Sequence, residues 1–375
     1  MQGVPGLSGT DPVKKIKRLI FFAKHMEIGG LEKALLNLLN SLDLDRYQVT
    51  LVLEEKQGAF LKLLDKRIKV EEYRLSACSF VPLRKLLNFT KRWLWVRKNR
   101  NRYDFSCSYC TYSVIGSRLS QAASANSCLY VHNDYANIYP DREEFCSFFR
   151  QLRTENFRRI VFVSNESCEH FCDILPEFAE KTLVINNLIN AGEIKALAAE
   201  QCGFQRRPGE TVFAFVGRLS EPHKRLSRLL NAFALALKER QDLRLLIVGD
   251  GPDRELCREQ IGELGLSGQV EMTGASSNPY KYLSRADCLV LSSDYEGFPV
   301  VYYEALVLGK DIITTIPVSD EQISIADYGT VTDKTPEALA AAMIAYKKQE
   351  HPPFNMEGTN CSRVETLYAL AEGKE

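Results

Sequence analysis

Residues 295–310, YEGFPVVYYEALVLGK, place Glu296 on a turn punctuated by Gly297 and Pro299 and Glu304 inside an apolar run with helical character. A β-rich run, 287–294, ends at Asp294 just ahead of them. Gly297 can take backbone conformations closed to other residues, and Pro299 suits the first turn of a helix. Glu304 then falls among Val300, Val301, Ala305 and Leu306. A carboxylate buried there is costly unless donors meet it, and ribose hydroxyls are such donors. The free N–H groups and positive dipole end of the same helix seat a phosphate. Upstream, in FVGRLSEPHKRLSRLL, Arg218 closes a strand and Lys224 opens the next helix. Separately, paired acids on a helix and a nearby Arg and Lys are ordinary surface features. Converging on one strand-end crevice, the two cations would neutralise a diphosphate leaving group, and the two acids would hold hydroxyls on either side of it.

The elements that must position these residues follow an alternating pattern. Short β-rich runs (17–24, 47–55, 127–133, 158–166, 181–187) are interleaved with longer amphipathic stretches such as 30–42. After a polar interval at 191–210 the alternation resumes with 211–219, 243–251, 269–274, 287–294 and 311–315. This is the signature of βαβ units on parallel sheets, with ligands expected at the carboxyl ends of strands. The expected organisation is α/β: a flexible stretch at 1–15, one doubly wound Rossmann-like domain at 16–195, a second at 196–355, and a terminal helix at 356–375 whose packing the pattern leaves open. A length of 375 residues allows two cores.

Composition narrows the function classes. Lys+Arg and Asp+Glu both number 48, so nothing global recruits nucleic acid. The 11 cysteines lack framework spacing and read as reduced thiols of a cytoplasmic protein. No apolar run approaches a membrane span, so the chain is expected to be soluble or at most peripheral. Asp43 and Asp45 form an Asp-x-Asp in a helix-to-strand turn, where acids serve as caps. Cys107 and Cys110 sit on a strand-like run, and Cys168, His170 and Cys172 cluster elsewhere, so no metal and no cofactor is assigned. Arg254 stands where a dinucleotide fingerprint needs its third glycine, which argues against a nicotinamide enzyme.

The segments VGRLSEPHKRLSRLLNAF, LLIVGDGP, VEMTG and EGFPVVYYEAL occur in the order and spacing of the family-4 retaining glycosyltransferases, which the chain resembles across most of 211–310. That resemblance implies the GT-B fold, two Rossmann-like domains facing each other across a cleft, and a nucleoside diphosphate sugar as donor, UDP in preference to GDP. It places Arg218 and Lys224 on the donor diphosphate, Glu296 on the transferred sugar and Glu304 on the ribose. Gly297, Phe298, Pro299 and Val300 would line the phosphate seat, and the backbone at Thr273 and Gly274 would lie near the base. Arg225 follows Lys224 where the family commonly has glycine. In the first half, MEIGGLEKALLNLL resembles the family's glycine loop, with Gly29 and Gly30 letting a phosphate or acceptor approach. LYVHNDY ends a strand at His132, which resembles the histidine that touches the donor sugar. The implied activity is transfer to a surface-polysaccharide or lipid-linked glycan. A non-catalytic GT-B partner subunit and a nucleotide-sugar epimerase or hydrolase are the alternatives.

Residues 80–103, FVPLRKLLNFTKRWLWVRKNRNRY, hold eight basic residues and no acid. As a helix, Leu83, Leu86, Leu87, Trp93 and Leu94 share one face. Arg84, Lys91, Arg92 and Trp95 share the other, which the pattern suggests is the outward, headgroup-facing side of an interfacial helix on an anionic membrane.

Overall fold

A computed structural model describes residues 16–296, 298–317, 327–351 and 353–374. The stretch 1–15 and Gly297 lie outside the described residues. Seven parallel strands form the first sheet: β1 (Lys17–Ala23), β2 (Tyr47–Leu53), β3 (Lys69–Glu72), β4 (Phe105–Ser108), β5 (Ser127–Val131), β6 (Arg159–Phe162) and β7 (Thr182–Val184). Their order is β3-β2-β1-β4-β5-β6-β7. The second sheet has β8 (Thr211–Val216), β9 (Leu243–Val248), β10 (Val270–Gly274), β11 (Cys288–Leu291), β12 (Asp311–Thr314) and β13 (Gly329–Val331), all parallel, in the order β10-β9-β8-β11-β12-β13. Both are doubly wound, and the order reverses between β1 and β4 in one and between β8 and β11 in the other. These are the switch points where open α/β sheets leave a crevice.

Central strands are apolar throughout because helices cover both faces: Ile20, Phe21, Phe213, Ala214 and Phe215 are completely buried. The edge strands β3 (KVEE) and β13 (GTV) lack that signal, which is why the alternation did not reveal them. Helix α1 (Gly30–Asn40) docks Leu35, Leu36, Leu38 and Leu39 into the first core. The chain crosses between domains at Leu188, packed in the first core, and Ile189, packed in the second. The helix Ala191–Ala198 then lies with the second domain, ahead of the boundary expected at 195–196.

The terminal helix Met356–Glu372 returns to the first domain. Leu367, Leu370 and Ala371 enter its core, Tyr368 stacks on Tyr47 with centroids 5.0 Å apart, and the Tyr368 hydroxyl accepts from Asp43 N–H at 2.8 Å. Arg46 pairs with Glu372 beside them. We expect Tyr368→Ala to remove about 1–2 kcal/mol of stability through lost stacking and burial. Urea unfolding would read this as a lower midpoint at unchanged slope, and an unchanged midpoint would show that the helix is not anchored by this ring.

Helix α2 (Val81–Asn99) reverses the expected facing. Trp95 turns inward, in edge contact with Phe22 (5.7 Å) and Tyr73 (6.3 Å). Outward lie Leu83, Leu86, Leu87, Trp93 and Leu94. The two faces are those the period implies, but the buried one is the face that carries Trp95. Trp95 and Val96 pack on the cluster of Ile20, Phe22, Val52, Tyr73 and Leu119, and that tertiary packing chose the face.

Candidate active site

The second switch point gathers the charged residues singled out above. Arg218 follows β8 and is exposed, with no partner among the described residues. Lys224 ends a short helical turn, Glu221–Lys224, and its ammonium pairs with Glu296 in the loop after β11. Ser293 Oγ donates to Glu296 Oε1 at 2.7 Å, and Ser292 Oγ donates to the Lys224 carbonyl at 2.7 Å, which ties the two loops together. Arg225 adopts a left-handed backbone (φ 50°, ψ 54°), the conformation in which glycine is unstrained. Its guanidinium offsets that cost by pairing with Asp294, to which Arg228 also donates at 2.7 Å. Although burial works against it, these two guanidiniums hold Asp294 below the usual carboxylate range.

Glu304 lies in the helix Val300–Val307, whose N-cap is Pro299, and is only 8% exposed. Tyr280 donates its phenol to Glu304 Oε1 at 2.8 Å. Burial raises the carboxyl from 4.5 to about 7, opposed by the Tyr280 hydrogen bond and by Lys33 and reinforced by Glu193. Lys33, on α1 of the first domain, bridges to Glu193 of the second at 2.7 Å. Glu304 therefore sits beside the ion pair that joins the domains.

The remaining candidates are spread around this centre. Thr273 and Gly274 end β10 on the far side of β9, and the Gly274 carbonyl accepts from Gly249 N–H at 3.0 Å. Gly249 and Gly251 let these loops close: a Cβ on either would stand 1.9 Å from the Gly217 carbonyl oxygen or 2.2 Å from that of Leu219. Phe298 does not line a polar seat. Its ring stacks on Tyr303 at 4.6 Å, with the Arg363 guanidinium 5.6 Å above, and it packs against the cores of both domains. Val300 is likewise packed on the second core.

Across the cleft, Gly29 caps α1, and a Cβ there would meet Glu32 Oε2 at 2.3 Å, whereas Gly30 has open space. His132 follows β5, stacked on Tyr130 (5.2 Å) and tilted against Tyr109 (4.5 Å). Burial lowers its pKa to about 3, so the ring is neutral, and its buried Nε2 makes no hydrogen bond among the described residues. Tyr295, next to Glu296, has its phenol raised by burial, then by the charges of Glu296 and of Asp134 in the first domain. Sequence reasoning missed Tyr280, Lys33 and Glu193. A tyrosine 24 residues before its acid has no local signature, and a cross-domain pair has none at all.

Asp134, Glu166 and His170 are the one group of three potential metal ligands among the described residues. Asp134 is already engaged by Ala136 N–H (3.1 Å), Asn137 and His170 (2.8 Å). All 11 cysteines are free.

Residues 202–358 match the family model for glycosyl transferases group 1. The likeness to that family is confined to this segment. It covers the second Rossmann-like domain with Arg218, Lys224, Glu296 and Glu304. Among relatives, an uncharacterized glycosyltransferase of Methanocaldococcus jannaschii is 32% identical over 138 residues, 36% of this chain and 34% of its own. The lipopolysaccharide 1,6-galactosyltransferase of Salmonella typhimurium is 35% identical over 114 residues, 29% of this chain and 31% of its own. The chain thus spans about a third of the length of these curated relatives. The solved structure of Anabaena HepE with UDP and glucose superposes with a TM-score of 0.74 at 20% identity, covering 94% of this chain and 100% of that one. The matched domain and the domain before it together have the two-domain, Rossmann-like GT-B fold.

Proposed function

We propose that this protein is a retaining, metal-independent glycosyltransferase that moves a sugar from a nucleoside diphosphate donor, UDP in preference to GDP, to a surface-polysaccharide or lipid-linked glycan. The observation that carries the reading is the meeting, at the β8/β11 switch point, of an Arg218 without a partner among the described residues, a Lys224–Glu296 pair held by Ser293, and a buried Glu304 met by one phenol. UDP bound in Anabaena HepE and the lipopolysaccharide acceptor of the Salmonella transferase support the choice of donor and acceptor.

In this mechanism the donor diphosphate takes Lys224 from Glu296 and joins it to Arg218. Glu296, still supported by Ser293, is then released to hold sugar hydroxyls, and His132 offers a neutral nitrogen to another. Glu304 accepts from the ribose. As the bond between the anomeric carbon and the diphosphate oxygen breaks, negative charge grows where the two cations already stand, so they stabilise the transition state more than the ground state. The acceptor oxygen bonds to the same face of that carbon, and its proton passes to the departing phosphate. The free thiols suit a cytoplasmic protein, and the basic segment 80–103 gives it an anionic membrane surface as partner.

The reading is tested by titrating the chain with UDP, GDP and their sugars while following thermal unfolding. A ligand that binds only the native state raises the midpoint by mass action. We expect UDP and a UDP-sugar to raise it, mass spectrometry to find sugar on an added glycan, and proton NMR of that product to show the anomeric configuration kept. Binding without turnover would point to a scaffold subunit. Free sugar released without an acceptor would point to a hydrolase.

A further inference from the structure

Helix α2 turns its apolar side away from the protein. Leu83, Leu86, Leu87, Trp93 and Leu94 are each between 42% and 58% exposed. At 3.6 residues per turn they form one stripe opposite the seam of Asn88, Arg92, Trp95, Val96 and Asn99 that meets the domain. Phe80 and Phe89 extend the exposed apolar surface. Arg84, Lys91, Arg97 and Lys98 flank it, without an acid in the segment. A solvated helix is built the other way round, with its leucines on the core.

A second feature lies at the inner edge of the helix. Arg118, on α3 (Val114–Ala123), has Arg92 of α2 and Arg153 as charged neighbours. Gln121, one turn on from Arg118, holds Arg153 in place by donating to the carbonyls of Leu152 and Arg153 at 3.0 Å each. Burial, then the charges of Arg153 and Arg92, push the Arg118 guanidinium down, and its Nε is buried without a hydrogen bond. No carboxylate pairs with any of the three among the described residues. Like charges gathered without a counter-ion repel, and guanidiniums are matched to a phosphate by paired, charge-assisted hydrogen bonds.

We propose that α2 lies in the interface of an anionic bilayer, its leucine and tryptophan stripe entering the acyl boundary, while Arg92, Arg118 and Arg153 hold the phosphate of a lipid headgroup behind it. The charge of the helix selects this occupant: a second copy of α2 would bring six more cations, and no acid, against the first six. The proposal deepens the membrane partner named above and rests on that reading, but not on sugar transfer. It presents the acceptor-side domain to the membrane, where a lipid-linked glycan would be reached.

Co-sedimentation of the full chain with phosphatidylcholine vesicles, with and without phosphatidylglycerol, tests it. We expect binding to the anionic vesicles to exceed binding to neutral ones by about tenfold or more and to fall with salt. Leu86→Ser with Leu94→Ser, two exposed positions that leave folding intact, should lower binding about tenfold. The variant Arg92→Ser, Arg118→Ser, Arg153→Ser should weaken binding similarly and flatten its salt dependence. An unchanged midpoint shift with UDP certifies that each variant is folded and keeps the outcome separate from the donor-site reading. Equal binding to neutral vesicles, or both variants binding like the parent, overturns the proposal. So does stabilisation by soluble glycerol phosphate through the three arginines without vesicle binding, or a concentration-dependent dimer that the leucine changes abolish while vesicles are ignored.

Discussion

Alanine at Arg218 or Lys224 should lower turnover with a UDP-sugar by about 30- to 1,000-fold, which is about 2–4 kcal/mol of barrier for the loss of one charge-stabilising donor. Arg218 has no partner to lose among the described residues, so its removal should leave stability unchanged and appear in kcat. Lys224 differs because it is paired with Glu296. Its loss also leaves that carboxylate held by Ser293 alone, so the Lys224→Ala chain should show a weaker donor KM as well. Steady-state kinetics of the two variants separate these patterns. If transfer persisted at near-parental rates in both, the cations would not be acting on a leaving group and the assignment of the switch point would fail.

Glu304→Gln should change how stability depends on pH. The folded pKa of about 7 stands above the ordinary 4.5 because burial disfavours the charged form. A raised carboxyl contributes its stability fully below about 4.5, and that contribution is lost as pH rises through about 7. The displacement corresponds to about 3 kcal/mol, so the parent should weaken by that order relative to the glutamine variant between pH 4.5 and 8. Donor binding should run the other way. An ionised Glu304 accepts better from hydroxyls, so UDP affinity should rise across the same window in the parent and be weaker, by about tenfold, and flat in the variant. Denaturation curves and calorimetric titration over pH give both readings. Parallel stability curves would mean that Glu304 titrates in the folded chain as in the unfolded one, and the Tyr280 contact would then have to offset its burial.

Much of the site was legible because its parts are local. A strand followed by Arg218 and a short helix, or a strand followed by Glu296, Pro299 and an apolar helix, is written in consecutive residues, and turn chemistry places each at a strand's carboxyl end. Arg225 shows the same logic at finer scale, since its left-handed backbone explains why a glycine is common there. What could not be read is what each charge touches. The Lys224–Glu296 pair spans 72 positions, Tyr280 reaches Glu304 over 24, and Lys33 meets Glu193 over 160. Phe298, adjacent to the motif, turned out to fill the seam between domains because a ring there can stack on Tyr303.

The order of amino acids by itself determined the alternation of strands and helices, the two sheets it implies and the positions of the chemical groups along the strands, because backbone hydrogen bonding and side-chain periodicity act over a few residues. Only the tertiary structure decided which face of α2 met the domain, that the last helix returned to the first core and that three arginines came together without an acid. A periodic pattern states that a helix has two faces, but shape and charge in distant segments select which one is buried.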